Sequence, residues 1–176
     1  YDKVSHDLKK AITAYEKAIL LNDQDPRLFA EIDLIREQAG IAPADRLSFL
    51  LKHMPAVEKY DEAVKRVVEL YLITGEFNKP LKIMTDRHFH VWEGGPSLLD
   101  FFENANLMQG IRFMEKKRYQ EALQSFEKAA TYPDNLEEGK SVFSVREVRI
   151  NYFIALAYSG MGNKEQADNY FYRVAE

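Results

Sequence analysis

The chain has 176 residues, 46% hydrophobic, 30% charged and 12% aromatic, with 8 Gly and 6 Pro. This composition excludes collagen-like, low-complexity and intrinsically disordered chains. A formal charge of −4 argues against bulk attraction to nucleic acid or anionic membrane, and zero cysteines exclude disulfides, thiolate metal sites and a thiol nucleophile.

No apolar run approaches the roughly 18 residues that a membrane span requires. Tyr1 opens a polar stretch with no initiator Met and no signal pattern, so the chain reads as a piece of a longer protein, and a cytoplasmic location is expected. In chain order, apolar periodicity predicts nine helices, over 5–21, 27–39, 43–54, 57–74, 77–86, 98–117, 119–132, 142–160 and 163–175. Gly40, Gly75 and Gly162 each follow an amphipathic segment, as C-caps do. Pro80 is placed in the first turn of its helix, where the missing N–H costs little. Ser97 with Asp100 reads as a capping pair opening the sixth helix. No strand-period run is long enough to argue for a sheet.

Three of these segments repeat one pattern: Ala11, Tyr15, Ala18; Ala122, Phe126, Ala129; Ala167, Phe171, Val174. A small residue, an aromatic four later and a small or β-branched residue three after that form one helical stripe. The small residue admits a neighbouring helix, and the aromatic fills the space beyond. The pattern resembles the tetratricopeptide repeat (TPR), a helix-turn-helix unit with a period of 34. Gly110 lies 12 before Ala122, at the close-contact glycine of that repeat, with Phe113 at the aromatic position; Asn106 and Gln109 depart from its Trp and Leu. The equivalent small positions are Ala11, Ala44, Pro80, Ala122 and Ala167, at intervals of 33, 36, 42 and 45. The resemblance implies an all-α, right-handed superhelical solenoid over 1–176, with 1–26 the second helix of a truncated repeat.

The two longest intervals carry insertions, at 87–97 and 133–141. Loops at equivalent junctions of a solenoid stack along one edge, so these two are expected to touch. They supply the candidate loop site: His88, His90, Trp92 and Glu93 from the first, Asn135, Glu138 and Lys140 from the second. Trp92 is expected to anchor the loop or offer a stacking surface, with Glu93 an acceptor. Asp86, His88 and His90 at period two would point the same way, as two imidazoles and a carboxylate of an iron-like or zinc-like site do. Helix continuation through Asp86 breaks that geometry and no fourth ligand is identifiable, so neither metal nor cofactor is assigned.

A narrower resemblance rests on the same loops. Arg87-His88-Phe89-His90-Val91-Trp92-Glu93-Gly94-Gly95 and Tyr132-Pro133-Asp134-Asn135-Leu136-Glu137-Glu138-Gly139-Lys140 are similar to Arg-Phe-His-Pro-Trp-Glu-Gly-Gly and Tyr-Pro-Glu-Asn-Leu-Gly-Glu-Gly-Lys. Those motifs occur in that order in the helical C-terminal region of a family of large bacterial TPR proteins. The departures here are the extra His88, Val91 for Pro and Glu137 for Gly. The resemblance implies an upstream β-rich domain and a link to carbohydrate metabolism, and carries over no catalytic residue.

The leading reading is a non-catalytic scaffold that binds a protein or peptide on a concave face. That face takes Lys65 and Glu69 from the second unit, Asn104, Leu107, Ile111 and Met114 from the third, and Arg149 and Tyr152 from the fourth. Glu69 and Phe153 stand where a carboxylate clamp needs Asn and Arg, which excludes a chaperone-tail receptor. The alternative is an accessory helical domain of a larger carbohydrate-related protein, whose loops 87–97 and 133–141 complete a sugar-related ligand site. A stand-alone enzyme is disfavoured, because no nucleophile–base or paired-carboxylate spacing is present.

Overall fold

The computed structural model describes residues 2–90, 97–138 and 146–175, with side chains from residue 7 onward. Among them there are ten α-helices, one 3-10 turn and no strand. The chain divides into two compact units, Tyr1–Glu76 and Phe77–Glu176.

The first unit holds α1 (Asp2–Leu21), α2 (Arg27–Gln38), α3 (Pro43–Lys52), α4 (Met54–Val57) and α5 (Asp61–Ile73). The principal packing runs between near neighbours: α1 on α2, α2 on α3 and α5, and α3 on α5. Gly40 and Gly75 follow α2 and α5 with φ of 73° and 80°, the left-handed conformation that lets a chain leave a helix. The segment expected as 43–54 and 57–74 is divided differently. Pro55 lies in the first turn of the single-turn α4, and extended Tyr60 (φ −139°, ψ 120°) delays α5 to Asp61. On α1, Leu8, Ile12 and Tyr15 are half-buried, whereas Leu20 and Leu21 are exposed.

The core of this unit includes a buried ionic knot. Asp33 accepts two hydrogen bonds from Arg46 at 2.9 and 2.8 Å and one from Arg66 at 2.7 Å. Glu37 also accepts from both guanidiniums, from Arg46 at 3.0 Å and Arg66 at 2.7 Å. Burial pushes the Glu37 carboxyl up, but Arg66 and Arg46 together hold it below the usual carboxylate range. Burial pushes Glu69 up despite its 2.7 Å pair with Arg66.

The second unit holds α6 (Asn78–Asp86), α7 (Leu98–Glu115), α8 (Tyr119–Ala129), a 3-10 turn (Asp134–Leu136), α9 (Arg146–Gly160) and α10 (Lys164–Ala175). Here α6 packs on α7, α7 on α8 and α9, α8 on α9, and α9 on α10. Contacts also skip one principal helix within each unit, α2 meeting α5 and α7 meeting α9. Pro80 is buried in the first turn of α6, as its position required. Gly110 meets Phe126 so closely that a Cβ would lie 2.3 Å from the ring. Phe126 stacks on Phe153 at 5.3 Å and, with Leu107, Ala122, Ala129, Ile150 and Ile154, forms the apolar core. The corresponding Phe171 on α10 is partly exposed instead. Glu103, buried in α7, binds Arg146 and Arg149 of α9, and Arg146 also donates to the Ala129 and Thr131 carbonyls at the end of α8.

Candidate functional site

The two insertions meet inside the second unit. After α6 the chain becomes extended at Arg87 (φ −117°, ψ 138°), so alternate residues face alternate sides. Phe89 turns inward and is fully buried, and its N–H donates to the Asn135 carbonyl at 2.8 Å. The Asn135 amide returns two bonds, to the carbonyls of Met84 (2.6 Å) and Arg87 (2.7 Å). Leu136, also fully buried, holds the 3-10 turn down beside α6. One asparagine thus caps the end of α6 and fastens the second insertion to the first.

On the outer side, His88 and His90 stand edge to face at 5.4 Å between ring centres. His88 Nε2 lies 2.8 Å from Glu137 Oε1. Glu138 reaches the start of α7: it accepts from the N–H of Leu98 at 2.7 Å and of Leu99 at 3.3 Å, and from the Ser97 hydroxyl. Ser97 in turn accepts from the N–H of Asp100 at 3.1 Å, the cap expected from the sequence. A carboxylate at a helix N-terminus satisfies orphan donors and suits the dipole. Beside this junction is a cavity of about 340 Å³ lined by Leu81, Met84, Phe102, Asn106, Gln109 and Asn135.

Of the seven candidate loop residues, His88, His90, Asn135 and Glu138 are therefore brought to one junction. Trp92, Glu93 and Lys140 lie outside the described residues. Asp86 is not in the cluster, because it ends α6 and pairs with Lys82 at 3.6 Å. Glu137 occupies the place that the sequence had offered to Asp86. Its proximity to His88 depends on contact across 49 residues, which spacing along one strand cannot reveal.

The eight face residues separate by burial. Lys65 is 3% exposed and bonded to Glu62 at 2.9 Å, and Leu107 is 3% exposed in the core, so neither lies on an open face. Glu69 is half-buried against Arg66. Asn104, Arg149 and Tyr152 are exposed, and Ile111 and Met114 half-buried. Arg149 donates to Asn104 at 3.3 Å and also binds Glu103. Two exposed apolar residues not singled out in the sequence join this part of the second unit: Met108 on α7 and Val148 on α9.

Residues 148–176 match the tetratricopeptide repeat family model. Solved structures of similar fold carry the name MamA. One crystal structure of the MamA protein shares 18% identity with a TM-score of 0.56, over 98% of this chain and 83% of that one. A second MamA crystal structure shares 16% identity with a TM-score of 0.57, over 98% and 90%. A MamA AMB-1 structure gives 16% and 0.52, over 99% and 95%. Helix pairing, C-cap glycines and these likenesses define an all-helical repeat fold of the solenoid class. Within it, residues 148–176 match a repeat of the tetratricopeptide type. Among the described residues no helix is long and apolar enough to cross a membrane.

Proposed function

We propose that this chain is a non-catalytic interaction scaffold and that the exposed stripe along α7 and α9 is its docking face. The observation carrying this reading is a set of large apolar side chains left in solvent on two helices that pack together: Met108 (42% exposed), Val148 (47%) and Tyr152 (44%). Asn104 and Arg149 supply polar, directional groups beside them. Tyrosine and arginine are enriched at interface hot spots, and methionine at interfaces generally. The partner is a protein or peptide presenting an apolar side chain and an acceptor for Arg149. Selection of displayed peptides against the purified chain tests this. Ligands so obtained are expected to lose at least about tenfold in affinity, or about 1.4 kcal/mol, with Tyr152→Ala or Met108→Asp. Peptides indifferent to both substitutions would remove the face from consideration.

The second reading is an accessory domain whose insertion loops complete a sugar-related site in a larger protein. It draws support from the fastening of the two loops by Asn135 and from the adjoining cavity with its amide side chains Asn106 and Gln109. Screening the chain against a panel of saccharides, with Gln109→Leu as the control, separates it from the first.

A further inference from the structure

We infer that His88, His90 and Glu137 form a surface site for a divalent late transition metal, with zinc as its natural probe, distinct from the α7/α9 docking face. The candidate ligand atoms of the three side chains all lie within 4.8 Å of one another. Ligand atoms sharing a tetrahedral zinc at bond lengths of about 2.0–2.2 Å sit about 3.3 Å apart, so side-chain tip movements of about 1 Å complete the set. His88 Nε2 and Glu137 Oε1, at 2.8 Å, are already that close.

The backbone holds both ligand-bearing segments. Buried Phe89 between the two histidines sends both imidazoles to the outer side, and its N–H is bonded to Asn135, two residues before Glu137. Glu137 itself adopts a left-handed conformation, φ 53° and ψ 19°, which glycine takes without strain and glutamate does not. A carboxylate is thus held at a backbone position that disfavours it, beside two imidazoles.

Ligand chemistry narrows the ion. Two imidazoles and one carboxylate suit zinc and its late first-row neighbours, whereas magnesium and calcium prefer all-oxygen sets. Three protein ligands leave a fourth position for water or a ligand oxygen. The ligands come from both insertions, so the ion would also fasten one loop to the other.

Zinc titration of the tag-free chain, followed by calorimetry and thermal unfolding, tests this. The expected result is one zinc per chain, bound more tightly than about 10 µM, with a rise of several degrees in the unfolding midpoint at saturation. Glu137→Gly is the decisive variant, because it removes the ligand and relieves the backbone. It should weaken zinc at least tenfold while leaving the metal-free midpoint equal to or above that of the parent chain. His88→Ala and His90→Ala should also each weaken binding at least tenfold, and His6→Ala should leave it unchanged. Weaker binding by the parent chain, unchanged affinity in any of the three ligand variants, or loss in His6→Ala would overturn the site. None of these readouts depends on a peptide ligand, so the α7/α9 reading stands or falls separately.

Discussion

At the scale of single residues, carboxylates and imidazoles take their roles from neighbours far along the chain. Glu138 caps α7 from 40 residues away, satisfying the Leu98 N–H and the Ser97 hydroxyl. Glu138→Ala leaves these donors without their charged acceptor and is expected to cost about 1–2 kcal/mol by chemical denaturation. Ser97→Ala at the same helix end should cost about 1 kcal/mol. His53 illustrates the opposite case. It stacks on Phe29 at 5.0 Å and against Phe49 at 4.9 Å. Burial, then the charge of Lys52, hold its pKa below the usual imidazole value. The folded state therefore binds fewer protons than the unfolded one between the two pKa values. The stability that neutral His53 contributes is complete above the unfolded value of about 6.5 and is lost as pH falls through the lower folded value. Midpoints measured from pH 7.5 down to 5 should fall more for the parent chain than for His53→Phe.

At the scale of helices, close approach is set by small residues and closed by caps. Gly110→Ala brings a methyl carbon within 2.3 Å of the fully buried Phe126 ring. The helix gains about 1 kcal/mol in propensity, but overpacking costs about 1–3 kcal/mol and can cost more where the ring has no free space. A net loss of about 1–2 kcal/mol is expected, seen as a lower thermal midpoint. A neutral result would mean that Phe126 and Phe153 can move together at little cost. The close-packing role of Gly110 was legible from the repeat spacing, because the repeat sets a small residue where its own two helices meet. The contact between Gly160 and Tyr119 was not, since it joins residues 41 apart on helices separated by an insertion.

At the scale of the molecule, each unit has its own charged centre joining elements that short-range pattern cannot connect. Asp33 links α2, α3 and α5 through Arg46 and Arg66. Asp33→Ala removes the buried acceptor that two guanidiniums share, and with Glu37 still pairing both the expected loss is about 3 kcal/mol. Hydrogen exchange should show amides of Tyr1–Glu76 losing protection ahead of those in Phe77–Glu176, because nearest-neighbour repeats transmit instability locally. Equal loss throughout both units would show that the two unfold as one.

The sequence by itself determined the helical class, the places of most helices and C-caps, the packing role of Gly110 and the expectation that two insertions meet. Each depends on periods of three to four residues or on the repeat length, which local chemistry writes directly into the chain. Tertiary structure decided which side chains those meetings expose. Lys65 and Leu107, on the predicted open face, are covered. Asp86 is retained by its helix, and Glu137 stands beside His88 in its stead. Met108 and Val148 emerge into solvent although their type suggests a core. Burial depends on the rotation of each helix against neighbours dozens of residues away. A shift of one residue, about 100° around the axis, exchanges an exposed side chain for a buried one while leaving the apolar period intact.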